Sequence, residues 1–150
     1  MNEQLVAHGR AIVDANLYMV LGTADAEGRP WATPVYFAHS GYREFIWVSQ
    51  PDAVHSRNLE GRSEASMVIF DSTVPIGTGQ AVYVWATAHE VGAADRAQAL
   101  EIFTRRSLSH GGGEWTAADV VAPARHRLYR AIAVDRYVLD EHDDRLAVEL

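Results

Sequence analysis

The sequence predicts a mainly β fold, a closed barrel or sandwich of about six or seven antiparallel strands with two or three flanking helices. Three observations carry this. Short apolar runs rich in β-branched and aromatic residues recur between clear turn signals, and a small sheet protein must protect its open edges. The chain has 150 residues, 48% of them hydrophobic, enough for one domain with a true core. Finally, Gln80 to Val91 sets Val82, Val84 and Ala86 on one face and Tyr83, Trp85 and Thr87 on the other. Both faces read as half buried, as in a barrel or under a partner.

The elements follow in order. Glu3 to Ala15 reads as an amphipathic helix, with Leu5, Ala7–His8, Ile12 and Ala15 near helical spacing. Leu17 to Ala24 is a strand that stops at the turn Asp25-Ala26-Glu27-Gly28. Trp31 to Ala38 is a second strand, and Pro34 within it calls for an edge or a bulge. After the turn at His39–Tyr42, Glu44 to Ser49 is the third, so two successive hairpins predict a meander. The pattern from Pro51 to Glu60 is a short helix with Asp52 as its cap. Glu64 to Asp71 is a strand, Ser72 to Gly79 a loop, and Gln80 to Val91 a long strand. Ala94 to Leu108 is the clearest helix, with Ala97, Leu100, Ile102–Phe103 and Leu108 as its stripe. Thr116 and Asp119 form a capping box with Asp in place of Glu. Arg127 to Leu139 is one strand or two, broken near Asp135, and Arg145 to Leu150 a last short one.

Composition excludes several chemistries. With no cysteine there are no disulfides, thiolate metal sites or cysteine nucleophiles. All 13 basic residues are arginine, so lysine Schiff bases and P-loop lysines are absent. A net charge of −7 argues against duplex nucleic acid. The start lacks the pattern of a signal peptide, and no apolar run is long enough for a membrane helix. The expectation is a soluble cytoplasmic protein that binds neither nucleic acid nor membrane. Seven histidines show no metal-ligand spacing, so no metal is expected.

Three motifs fail their context tests. His110-Gly111-Gly112-Gly113 resembles an oxyanion-hole loop but lacks the Gly-x-Ser-x-Gly elbow, so it reads as a loop ending a helix. Gly77-Thr78-Gly79 leads into a strand rather than a helix, unlike a dinucleotide fingerprint. Arg125-His126-Arg127 with Arg130 reads as a solvated strand face, or as a partner for the acidic tail Asp140–Asp144.

The stretch from Leu21 to Asp71 carries the chemistry. A β-meander feeds a helical turn bearing His55, Ser56, Arg57 and Asn58. Arginine, imidazole and hydroxyl donors near a helix end make a phosphate cradle without lysine. An exposed helix with surface polar residues is the equal alternative.

The order of these pieces resembles the pyridoxamine-phosphate-oxidase-like, FMN-binding split-barrel family. Its marks are Ala24-Asp25 with Gly28-Arg29-Pro30, then Thr33-Pro34-Val35, then an aromatic strand ending in Ser49, then His55-Ser56-Arg57-Asn58-Leu59. The resemblance is strongest over residues 10 to 90. It implies a split β-barrel whose site forms at a homodimer interface, with Trp31, Tyr36, Trp47, Tyr83 and Trp85 as candidates for interface or core. It implies FMN, or alternatively the deazaflavin F420, and hydride transfer to or from a small-molecule substrate. A non-catalytic flavin carrier is a further alternative. Carried over, Thr33, Pro34 and Val35 lie along the flavin ring, Trp47 and Ser49 contact ring or phosphate, and His55, Ser56, Arg57 and Asn58 form the phosphate cradle. Gln80 matches a glutamine that reaches the cofactor, often across the dimer. His55 stands where many members have lysine, and the substrate-binding extension of the true oxidases is not recognisable.

Overall fold

The computed structural model describes residues 2–150. Helix α1 spans Glu3–Ala15, followed by strands β1 (Tyr18–Ala24), β2 (Pro30–Tyr36), β3 (Ala38–Ser40) and β4 (Glu44–Ser49). Helix α2 (Val54–Gly61) leads into β5 (Glu64–Phe70) and β6 (Ala81–Glu90). Helix α3 (Arg96–Ser109) and a 3-10 turn at Ala117–Asp119 precede β7 (Arg127–Leu139) and β8 (Arg145–Ala147). Among the described residues no helix is long and apolar enough to cross a membrane.

All strands join one antiparallel sheet in the order β2-β1-β5-β6-β7-β4-β3, with β8 added to β7. The order corrects the expected meander. The run from Trp31 to Ala38 is two strands, and they lie at opposite ends of the sheet. Only Phe37 separates them. A sheet whose two edges are one residue apart in the chain must curl round on itself. Phe37 is fully buried at that corner. Beyond it β2 and β4 come near each other without pairing, and the barrel is split along that seam. Pro34 sits on the edge strand, where its missing N–H costs no ladder bond.

Alternation builds the interior. Met19 and Leu21, Phe45 and Trp47, Met67 and Ile69, and Val82 and Val84 fill the barrel. In the long strands the predicted break near Asp135 is a bulge: Trp85 pairs with Asp135 and Ala86 with Ala133, leaving Val134 as the extra residue.

Helix α1 closes the barrel side with Leu5, Gly9, Ile12 and Val13, whereas Ala7, His8 and Ala15 of the expected stripe are exposed. Gly9 is required there, since a Cβ would lie 2.7 Å from Val138 Cγ2. Helix α3 lies on the outer faces of β3 and β4, where Phe103 and Leu100 meet Ala38, Ile46 and Leu128. Leu108, expected in its apolar stripe, faces solvent instead. The capping box of Thr116 and Asp119 forms as expected.

Candidate functional site

Helix α2 plugs one end of the barrel, and this decides the fate of the expected cradle. His55 and Ser56 point inward and are buried. The His55 ring bonds Ser49 Oγ at 2.8 Å through Nε2, and burial pushes its pKa below the ordinary value. Ser56 Oγ donates to the Gln50 carbonyl at 2.8 Å. Asn58 Nδ2 donates to Thr23 Oγ1 at 3.1 Å, tying the helix to β1. Trp47 lies fully buried, stacked on Tyr129 with ring centres 5.9 Å apart. Its indole N–H has no acceptor. Ser49, His55, Ser56 and Asn58 are therefore each engaged within the fold, by one another, by the Gln50 carbonyl or by Thr23.

What stays open at α2 is backbone. The expected cap, Asp52, does not cap: Ala53 is the N-cap residue and makes no side-chain bond to the helix. Asp52 is instead held by Arg57 Nη2 at 3.0 Å on the surface. The amides of Val54, His55 and Ser56 head the helix with no side-chain cap, while the next bond runs from Arg57 N to Ala53 O. Uncapped first-turn amides beside an exposed guanidinium make a place for a phosphate. The Arg57–Asp52 pair is mostly exposed, so opening it costs little.

Thr33, Pro34 and Val35 lie on β2, whose outer edge faces the seam and pairs with no strand. Val35 points into the core, Thr33 is half-buried and Pro34 is exposed. Gln80 lies elsewhere. It precedes the end of β6 that pairs with Val138, while Ser49 pairs with Arg127 at the far end of β7. Within one chain Gln80 does not meet the α2 cluster.

Sequence reasoning missed one feature. Where the seam meets α3 there is a cavity of about 630 Å³, lined chiefly by Tyr36, Val48, Phe103, His110, Trp115 and His126. The rings form an edge-to-face chain: Tyr18 on Tyr36, Tyr36 on Phe103, Phe103 on Trp115, Trp115 on His126. The Tyr36 hydroxyl bonds His110 Nδ1 at 2.8 Å, and burial raises the phenol pKa, so Tyr36 keeps its proton. The loop His110–Gly113 borders this cavity, with Gly111 at φ +80° making the turn that ends α3. An apolar, aromatic space with a few polar tips is the usual form of a small-molecule site.

The basic cluster does not pair with the acidic tail. Arg130 meets Glu44 and Asp95, and Arg127 bonds the carbonyls of Ala124 and His126.

The outer face of β2-β1-β5-β6 carries no helix. Pairing sets Pro34, Val20, Val68 and Tyr83 in one row, and Ala32, Gly22, Ser66 and Trp85 in the next. Trp85 is exposed there and Tyr83 is half-buried, whereas Trp31 is exposed on the opposite face of β2, in line with Thr33 and Val35.

The family model described as Pyridoxamine 5'-phosphate oxidase matches residues 5–135. No curated protein matches the chain. Among solved structures, a heme binding protein from Mycobacterium smegmatis superposes with a TM-score of 0.78 at 16% identity. That match covers 99% of this chain and 59% of the other, so this chain spans under two thirds of that protein. The heme storage protein HutZ from Vibrio cholerae gives 0.67 at 18% identity, covering 86% and 90%. An F420 reductase gives 0.62 at 17% identity, covering 85% and 94%. At such identities the likeness is one of fold.

Proposed function

The chain belongs to the pyridoxamine 5'-phosphate oxidase family, and from that premise we propose that it is an FMN-dependent oxidoreductase working as a homodimer on a small-molecule substrate. The observation that carries this is the uncapped start of α2 beside Arg57. It supplies N–H donors where the flavin phosphate is expected, without lysine. The unpaired edge of β2 at Thr33–Val35 supports the ring, because flavin edges need backbone donors and acceptors. His55 and Ser49 act by holding α2 in place, and Trp47 and Tyr129 form the floor beneath them.

The bound flavin supplies hydride transfer. The residues of this chain orient it and enclose the substrate in the aromatic cavity beyond Tyr36. F420 is the alternative cofactor, since an F420 reductase shares the fold. The apolar outer sheet is the dimer surface of this reading, an isologous contact through Tyr83 and Trp85, and Gln80 is a residue for the partner's site.

The test is the absorbance of freshly purified protein, followed by titration with FMN and with F420. A flavin spectrum or saturable uptake of either supports the reading, and uptake of neither ends it. Light scattering must also give twice the chain mass.

A second reading has one observation in its favour. His110 and His126 stand on an apolar cavity wall, and imidazole is a common haem ligand. Two of the solved structures are described as heme binding or heme storage proteins. A Soret band on adding hemin, lost in His126→Ala, would move the assignment to haem.

A further inference from the structure

The glycine loop that follows α3 is strapped to the helix it leaves. Ser107 Oγ donates to the Gly113 carbonyl at 2.8 Å, and the Gly112 amide donates to the Ser107 carbonyl at 2.8 Å. Further on, the Thr104 hydroxyl is used twice. It accepts from the Trp115 amide at 3.0 Å and donates to the Trp115 carbonyl at 3.1 Å. We propose that Thr104 and Ser107 are positioning residues, a hydroxyl clasp that fixes the Trp115 ring as one wall of the aromatic cavity, and that this fixed wall makes the cavity select flat rings over puckered ones by shape. The choice of ligand rests on reading that cavity as the substrate space; the clasp does not.

The local chemistry is specific. Thr104 and Ser107 are three residues apart and so share a face of α3. Hydroxyls inside a helix commonly turn back to a carbonyl of the preceding turn. Here both reach across to another segment. Ser107 is buried, so its hydroxyl needs a partner, and the Gly113 carbonyl is that partner. Gly112 is required by the same contact, since a Cβ there would collide with Ser107 Oγ. The backbone from Gly112 to Trp115 is thus held at both ends. The neighbouring wall is braced as well, because Arg127 Nη1 donates to the His126 carbonyl at 2.7 Å.

The clasp sets the rings. Trp115 meets Phe103 edge-on with centres 5.7 Å apart, and Tyr36 meets the same Phe103 ring edge-on at 5.7 Å. Tyr36 is itself held by His110, at the start of the strapped loop. A wall whose backbone is already fixed loses little freedom when a guest arrives, and it also adapts poorly to a guest of the wrong shape. A flat unsaturated ring keeps stacking and edge contacts that a puckered one lacks.

The experiment is a titration of the full chain with 2-naphthol and decahydro-2-naphthol, the same fused skeleton in flat and puckered form. The flat ring should bind about fivefold or more tightly, within the range of contacts between aromatic rings. Thr104→Val keeps the volume and removes the hydroxyl, and should cut the preference to about twofold or less, while Thr104→Ser should retain it. Ser107→Ala should also reduce it. Trp115→Leu leaves both ties of Thr104 in place, since they are made by backbone, and should lose the preference, so ring and clasp are tested apart. Hydrogen exchange reads the clasp without a ligand: the Trp115 amide should exchange slowly in the wild type and faster in Thr104→Val. Equal binding of the two probes, binding of neither, or a Trp115 amide that exchanges as in a free peptide overturns the proposal, and these outcomes need no variant to fold. A lower melting temperature in Thr104→Val and Ser107→Ala with the preference intact also overturns it, as the mark of a purely structural bond. Flavin uptake is read separately. Uptake without ring preference removes the proposal and leaves the oxidoreductase, and ring preference without uptake does the reverse.

Discussion

The barrel end under α2 and the cavity under α3 are built from the same residue types and treat them oppositely. Under α2, His55, Ser49, Ser56 and Asn58 bond one another, β1 and the backbone, above a floor of Trp47 on Tyr129. Under α3, Tyr36, His110, Trp115 and His126 line an open space. Residue type alone therefore does not mark a site. A polar side chain already satisfied inside the fold stabilises it, and one on an open cavity wall without a protein partner, such as the His126 ring, is free to meet a ligand.

The largest test of that contrast is a pair of tryptophans. Trp47→Ala should cost about 3–5 kcal/mol in denaturant unfolding, because it empties the plugged end of the barrel. Trp115→Ala, at a half-buried position, should cost less than half as much and instead weaken ligand binding. Equal losses of stability would erase the distinction.

His55→Ala comes next. It strands Ser49 and should cost about 1–3 kcal/mol while leaving flavin affinity within a few fold. A collapse of affinity with unchanged stability would restore His55 as a phosphate ligand. The same residue sets a pH dependence. Burial lowers the folded-state pKa of His55 and of His39, despite the opposing pull of Asp14 on His39. Below the ordinary value of 6.5 the unfolded chain takes up those protons first. Stability is therefore complete above that pH and falls as the pH drops toward the folded-state values. Melting curves from pH 7.5 to 5 should show the slope, and His55→Ala should flatten part of it.

Arg57→Ala should do the reverse of His55→Ala. Stability should change by less than about 0.5 kcal/mol, as for exposed sites, while the FMN Kd rises about tenfold. The smallest effect belongs to Asp52→Asn. Removing the acid beside the open amides should tighten FMN about two- to threefold at low salt, and the gain should fade as salt is added.

Local patterns carried most elements, and α1 and β4 have the bounds their periodicity predicts. The step from β2 to β3 was not legible, because alternating apolar residues run unbroken through Tyr36, Phe37 and Ala38. Nothing local says that two neighbouring strands belong to opposite edges; that is decided by partners more than eighty residues on, where Glu44 pairs with Ile132. The α2 segment was found by its residue types, but helix phase turns His55 and Ser56 inward and leaves Arg57 outside. The aromatic cavity is gathered from five separate parts of the chain, so no window contained it. Trp115, a large ring between a triple glycine and a capping box, was its clearest trace.

The corner at Phe37 bears on how the protein is made. Both outer ends of the sheet, β2 and β3, lie in the first third of the chain, and the strands between them at the centre, β6 and β7, come later. On the ribosome the two margins emerge before the middle that must join them. Neither early hairpin has its permanent neighbour until β5 and then β7 arrive, so closure waits for contacts between distant residues. A nascent chain stopped before residue 127 should therefore remain open to protease along β4, and one carried past residue 139 should not.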